Sequence, residues 1–380
     1  KRQDLMNIGI CVIAYNRIDS LKRVLKTLSE AYYPQNVDLN ISIDKSNTDI
    51  VEKFALSYVW TFGRKNVIMH KRNLGLKKHV LSCGELLHKY DALIVLEDDV
   101  TVAVSYFLYA MQCVEQYAED ESIAGISLYN FPIVYHNQKP FTPLKTDSDV
   151  FLMNCAQSWG QVWMRKQWFA FRKWYDIHCG EIMCQPHLPH SICSWPKSSW
   201  LKYHTQYCIE ENKYFVYPYH SLSTNNGDVG THVQVSSTMF QASLHYGIQK
   251  HFKLNPTMKY DGFFENKMLY EVLGLDESEC CIDFYGEKSN RERKRYWLSA
   301  TAQPYKIVRS FALTLKPYEM NVVCNVIGEG LYLYDTMVKN EKHVVVKQSY
   351  LMFYLFNYDT SFIYAVKKLI KACVKRIFSL

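Results

Sequence analysis

No stretch of this 380-residue chain reaches eighteen uninterrupted apolar residues, so nothing in it reads as a membrane-spanning helix. The glycine fingerprints of the common nucleotide folds are missing too. Neither GxGxxG nor GxxxxGK followed by Ser or Thr occurs, which leaves a nicotinamide dehydrogenase or a P-loop nucleoside triphosphatase poorly supported. The 12 cysteines contain no CxxC pair, and their scatter, including the adjacent Cys280 and Cys281, gives neither a disulfide framework nor a zinc site. Most are expected to be reduced thiols of a cytosolic protein. The run KRQDLMNIGICVIAY passes from charge straight into a strand-like segment, and no signal peptide is expected. Low complexity is excluded by 48% hydrophobic residues and 29 tyrosines. A chain of this length buries a substantial core, as one large domain with an appendage or as two domains.

What the chain does have is a short acidic punctuation. In residues 92–100, ALIVLEDDV, five apolar positions without alternation meet Glu97, Asp98 and Asp99. A short, β-branched run of this kind reads as a strand buried on both faces of a parallel sheet. Its carboxyl end is where open α/β sheets place ligands. Three adjacent carboxylates repel one another, and a divalent cation would relieve that repulsion; a solvated acidic turn is the other reading.

Upstream, residues 7–15 (NIGICVIAY) read as a first buried strand closed by Asn16 and Arg17. A helix follows, capped by Asp19 and carrying Leu21, Val24, Leu25 and Leu28 as its apolar stripe. Residues 39–43 form a second strand ending at Asp44, an acid placed to accept from a nucleotide's base or ribose, or else a turn-forming Asx residue. Residues 66–70 are a third strand. They lead into KRNLGLKK (71–78), a basic strand-to-helix passage whose Asn73, Gly75 and Lys78 can meet phosphate, followed by a helix over 76–89.

In this order IGICVIAYNR, SIDKS, KRNLGLKKH and VLEDDV resemble the nucleotide-sugar-binding half of a GT-A glycosyltransferase. They are similar to the family 2 enzymes of bacterial surface and capsular polysaccharide synthesis. The Glu-Asp-Asp motif is also similar to that of Golgi N-acetylglucosaminyltransferases of the GnT-I type. The likeness spans roughly residues 7–232. It implies an α/β fold of GT-A type, Rossmann-like, with a mostly parallel central sheet flanked by helices. It further implies that Asp44 contacts the uridine, that Ala14, Tyr15, Asn16 and Arg17 line the nucleotide pocket, and that Asp99 is the main contact of Mn²⁺ or Mg²⁺, with Asp98 near the ribose or a metal-bound water.

The acceptor side follows. SWGQVWMRKQWFAFRKWYD, from Ser158, resembles the SWGWATW-type segment of the same enzymes, and Trp159 offers a flat face for a sugar ring, with a tryptophan-rich core as the alternative. SWLKYHTQYCIEENKYFVYP, from Ser199, resembles their SWDxxW segment. There the acid after the tryptophan is the expected general base; here Leu201 stands in its place. His204, one helical turn on, is the candidate base, against a structural histidine among aromatics, while Glu210 and Glu211 fall at the far end of the helix. SLSTNNGDVGTH (221–232) resembles the SNxGxxGxGTH segment and reads as a mobile loop that closes over the donor, with His232 as a metal or diphosphate ligand or a hydrogen-bonded loop histidine.

The expected organisation is a GT-A domain over 1–232, divided into a donor half (1–100) and an acceptor half (101–232). A smaller α+β accessory region over 233–360 and a basic amphipathic helix over 361–380 complete it. In that last segment Lys367, Lys368, Lys371, Lys375 and Arg376 alternate with apolar residues at helical spacing, which suits an anionic membrane surface or docking on the protein itself; nucleic acid is not expected. The reading is a metal-dependent, inverting transfer from a nucleotide-sugar, UDP-linked, to an oligosaccharide or lipid-linked glycan. The expected place is the cytoplasm, peripheral on the inner membrane. A non-catalytic glycan-binding or assembly protein and a sugar-phosphate nucleotidyltransferase are the alternatives.

Overall fold

The computed structural model describes residues 6–180, 184–229, 237–288 and 294–340, together with residues 366, 367, 370 and 374. The first half alternates strands and helices: β1 (Ile8–Ala14), α1 (Ile18–Ser29), β2 (Leu39–Ile43), α2 (Ile50–Ser57), β3 (Lys65–Met69), α3 (Leu76–Cys83) and β4 (Ala92–Glu97). Then come β5 (Val100–Val102), α4 (Tyr106–Tyr117), β6 (Ile123–Ser127), β7 (Val150–Met153), β8 (Gln161–Met164), α5 (Arg165–His178), α6 (His190–Ser194), α7 (Leu201–Glu210), β9 (Tyr214–Pro218) and β10 (Ser223–Asn225). Adding β11 (Lys259–Tyr260) gives a nine-stranded sheet in the order β11-β7-β9-β6-β8-β4-β1-β2-β3. β4, β1, β2 and β3 are parallel neighbours, while β8 runs against both β4 and β6. This is the expected α/β architecture, a large and mostly parallel sheet flanked by helices.

The unbroken apolar runs are explained by cores on both faces. Along β4, Ala92, Ile94 and Leu96 enter one core with α1 and α4, while Leu93 and Val95 enter the other with α3, α5 and α7. Strand β1 divides likewise, with Ile8, Ile10, Val12 and Ala14 on one side and Cys11 and Ile13 on the other. A strand buried on both faces has no polar side to alternate.

Local expectations were corrected in several places. Arg17, not Asp19, holds the cap position of α1, and Asp19 lies inside the first turn. The helix expected over 76–89 ends at Cys83 and tightens into a 3₁₀ turn, Gly84–His88. A Cβ on Gly84 would lie 2.1 Å from the Trp168 indole nitrogen, so the chain needs glycine there to let the ring approach. Cys184 and Cys193 form a disulfide with Cα atoms 5.4 Å apart, unlike the thiols expected, whereas the other nine described cysteines are free.

The C-terminal part contains α8 (Met268–Leu273), β12 (Cys280–Ile282), β13 (Tyr296–Ser299), β14 (Tyr305–Ala312), α9 (Met320–Val323) and β15 (Gly330–Lys339). Its four strands form a second sheet, β12-β13-β15-β14. Helix α8 begins only at Met268, because the Asp261 carboxylate accepts the Phe263 and Glu265 amides at 2.8 and 3.0 Å and holds a turn before it. Most of 361–380 lies outside the description; Val366, Lys367, Ile370 and Val374 are helical and exposed.

Glu319 joins the two parts. Its buried carboxyl accepts from Tyr260 Oη at 2.9 Å and Asn266 Nδ2 at 2.8 Å. Burial pushes its pKa up to about 7, against those two hydrogen bonds. A glutamate in an unfolded chain titrates near ~4.3, so the folded protein keeps a proton that the unfolded chain loses. This group's contribution to stability is full below the unfolded pKa and is lost as pH rises through about 7. Glu319→Gln is expected to flatten that loss, measured as denaturation midpoints at about pH 5 and about pH 8.

Candidate active site

Because β1, β2 and β4 are parallel neighbours, their carboxyl ends bring Ala14, Asp44 and Glu97 to one edge of the sheet. Beyond these ends the chain supplies Arg17, Asp98 and Asp99. The Arg17 guanidinium reaches across, with Nη1 3.1 Å from Asp99 Oδ2 and Nη2 paired with Asp98 Oδ1. Burial works against its charge, but the two carboxylates outweigh burial and hold its pKa above the usual value. Asp98 is 3% exposed; burial lifts its pKa to about 6 despite Arg17. Glu97 is pushed further, to about 8, by burial and then by the charges of Asp99 and Asp98. Asp99 Oδ1 is buried and has no hydrogen-bond partner.

Asp44 serves the neighbouring turn. Its Oδ1 accepts the Lys45 and Leu74 amides at 2.9 and 2.8 Å, and its Oδ2 accepts the Gly75 amide at 2.9 Å. Asn73 Nδ2 donates to the Lys45 carbonyl at 2.9 Å, closing the turn from the other side. Gly75 turns the chain into α3 at φ +72°, with open space where a Cβ would be. Asp44 thus fixes the turn that leads into α3, and Lys78 stands exposed on the first turns of α3. Tyr15 and Asn16 are exposed beside Ala14.

The loop expected over 221–232 is partly a strand. Ser223, Thr224 and Asn225 pair antiparallel with Val102, Thr101 and Val100, directly after the acidic cluster. Asn226 donates to the Asp99 carbonyl through its amide and through Nδ2, both at 2.8 Å. The Asp228 carboxylate accepts from Ser20 Oγ at 2.8 Å and pairs with Arg23 Nη2, both on α1. Its charge also raises the Asp98 pKa. Sequence reasoning missed Asp228, because nothing local marks a lone acid in a polar segment. His232 lies outside the described residues.

Trp159 packs edge-on against Tyr129, ring centroids 5.1 Å apart, with Phe240 at 5.2 Å. Its carbonyl accepts from Ser223 Oγ at 2.6 Å. Gly160 follows at φ +95°, where a Cβ would lie 2.6 Å from that same oxygen. Trp159 is half-buried, whereas Trp163, Trp168, Trp174 and Trp200 are core residues.

His204 is corrected by its surroundings. It is 0% exposed, stacks on Phe171 at 4.1 Å, and has no partner at either ring nitrogen. Burial alone lowers its pKa to about 3. An imidazole walled in by Trp168, Trp200 and Phe215 has no line to an incoming hydroxyl. His204→Phe is expected to change turnover less than about twofold and to keep or raise the unfolding midpoint, since two unpaired buried nitrogens are replaced by carbon. A steady-state assay beside a thermal melt checks both.

The pocket's donors are hard oxygen atoms, which suit Mg²⁺ or Mn²⁺. Asp99 Oδ1, buried without a hydrogen-bond partner, is an oxygen that a hard cation would satisfy. Among the described residues no three His, Cys, Asp or Glu side chains are arranged to hold a metal. Two carboxylates with substrate phosphates completing the shell is a usual arrangement for Mg²⁺.

Several solved structures are similar to this one. GalNAc-T7 with UDP, GalNAc and Mn²⁺ shares 13% identity over 57% of this chain and 43% of that one, at a TM-score of 0.40. TarS 1–349 of S. aureus with UDP-GlcNAc shares 14% over 60% of each chain, at 0.40. The mannosyltransferase PcManGT of Pyrobaculum calidifontis with GDP-Man and Mn²⁺ shares 11% over 57% of each, at 0.34. This chain spans less than two thirds of the length of each of them. Residues 9–143, the stretch that holds Arg17, Asp44 and Asp99, match glycosyl transferase family 2.

Proposed function

We propose that this protein transfers a sugar from a nucleotide-sugar, UDP-linked, to a hydroxyl of a glycan acceptor with inversion at the anomeric carbon, using Mn²⁺ or Mg²⁺. The observation that carries the reading is the carboxylate pair Asp98 and Asp99 at the end of β4, inside the stretch that matches the family. Asp99, through its unpartnered oxygen, and Asp98 would hold the cation. When bound, that cation offsets negative charge on the departing nucleoside diphosphate. The turn held by Asp44 shapes the nucleotide pocket together with Ala14, Tyr15 and Asn16. Trp159 supplies a face for a sugar ring. The paired segment over 223–228 shields the acidic cluster from water.

Of the domain plan expected from the sequence, donor and acceptor halves within 1–232 and a basic segment over 361–380 are retained here, whereas the accessory region expected over 233–360 is taken to begin after β11, which belongs to the large sheet. No helix among the described residues is long and apolar enough to cross a membrane. Exposed Val366, Ile370 and Val374, spaced at i, i+4 and i+8 beside Lys367, support a peripheral position on an anionic surface. There the acceptor would be a lipid-linked glycan of bacterial surface polysaccharide synthesis, on the cytoplasmic face of the inner membrane.

Leu201 and the burial of His204 favour a second reading, a GT-A protein that binds glycans without catalysis. Calorimetry with a panel of nucleotide-sugars, with and without Mn²⁺, separates the two. Metal-dependent binding followed by transfer supports the enzyme, and binding without transfer to any acceptor supports the degenerate form. Absence of metal-dependent binding across the panel sinks the transferase reading.

A further inference from the structure

The acidic end of β4 is already served by a cation that belongs to the chain. Arg17 bridges Asp98 and Asp99, whose side chains are 4% and 16% exposed. On the next turns of α1, Arg23 and Ser20 hold Asp228, so each of the two arginines near the site faces carboxylate. Asp98 Oδ1 and Asp99 Oδ2, two of the four oxygens that would hold a metal, are directed at Arg17.

We propose that Arg17 gates the divalent cation. It keeps Asp98 and Asp99 as their internal counter-ion and releases them when a nucleoside diphosphate arrives to take its guanidinium. The inference rests on the metal-dependent reading above.

A divalent ion entering beside a stationary Arg17 would set three positive charges against two negative ones in a site with little water, where like charges repel strongly. Arginine cannot relieve this by losing its proton, so it must move. The position allows it. Arg17 caps α1 with non-helical backbone, φ −101° and ψ 87°, and its side chain is 25% exposed. The planar fork that matches the two carboxylates matches phosphate oxygens equally well. A diphosphate therefore supplies new partners for both Arg17 and the metal. Metal and nucleotide then raise each other's affinity, as reciprocal coupling requires.

The test is calorimetric titration of the full chain with MnCl₂, with and without UDP. Wild type is expected to bind Mn²⁺ at least about tenfold tighter when saturated with UDP. Arg17→Gln should raise the affinity of the nucleotide-free protein by about tenfold or more and shrink the effect of UDP. Arg17→Lys, whose ammonium cannot span both carboxylates as a fork, should move the same way by less and serves where the glutamine variant does not fold. Lys22→Gln, which removes an exposed charge of α1 paired with exposed Asp19, should leave nucleotide-free affinity within about twofold. If Arg17→Gln binds Mn²⁺ no tighter than wild type while UDP still tightens wild type, the gate is wrong and the metal reading stands. An equal rise in Lys22→Gln also overturns the gate, because the effect is then one of general charge. If no form binds Mn²⁺ with or without UDP, the metal reading fails and the gate falls with it.

Discussion

Asp99→Asn is expected to slow glycosyl transfer about a thousandfold, or ~4 kcal/mol of lost transition-state stabilisation. The substitution keeps the shape of the side chain and removes its charge. Asp99 Oδ1 is the one oxygen of the pair left buried without a partner, and so the first available to a metal. The folded state should change little, because Arg17 keeps Asp98 and the Asp99 carbonyl keeps both hydrogen bonds from Asn226. Initial rates with saturating Mn²⁺ and donor, beside a thermal melt, separate the two effects. A variant that works within about threefold of wild type would remove Asp99 from the chemistry.

Lys288→Met should cost about 3–5 kcal/mol of stability, the largest expected from any single change in the C-terminal part. Lys288 is 8% exposed and its Nζ lies 2.5 Å from Asp261 Oδ2. Burial pushes the carboxyl of Glu265, 2% exposed and with one oxygen lacking a partner, well above the usual carboxylate range, and the same ammonium works against that shift. Asp283, also buried, accepts the Glu287 and Lys288 amides at 2.7 and 3.2 Å and adds a third acid to the group. Methionine fills similar space but leaves the acids to repel each other or take up protons. Urea denaturation should show a lower midpoint, and limited proteolysis should cut first between β11 and β15. An unchanged midpoint would mean that the acids are already neutral in the folded protein.

The strands over residues 8–97 were legible because their signals are local. The runs in β1, β2 and β4 are short, apolar and unbroken, and burial on both faces is the physical reason for that pattern. The acids after β4 were equally plain. The meeting of Arg17 with Asp98 and Asp99 was not, since it joins residues about eighty apart and depends on β1 and β4 being neighbours. Strand β10 was read as loop because Ser223, Thr224 and Asn225 carry no apolar alternation; pairing with β5 and burial make it a strand. His204 shows the opposite limit. Helical spacing put it one turn beyond Leu201, but spacing alone does not report how many rings close around a side chain.

The reversed direction of β8 has a consequence for altering this protein. In a parallel strand the segment that leaves the strand faces the ligand edge. In β8 it is the segment that enters, because Gln161 lies opposite Val95 and Met164 opposite Ala92. Residues 157–160 therefore reach the acidic edge, while α5, on the exit side, goes into the core. A combinatorial library over 158–159 would vary the surface beside the acidic edge, with Gln157, whose side chain bonds the Trp159 amide and the Gly160 carbonyl, and Gly160 held fixed for the turn. The same diversity placed in α5 would be spent on folding.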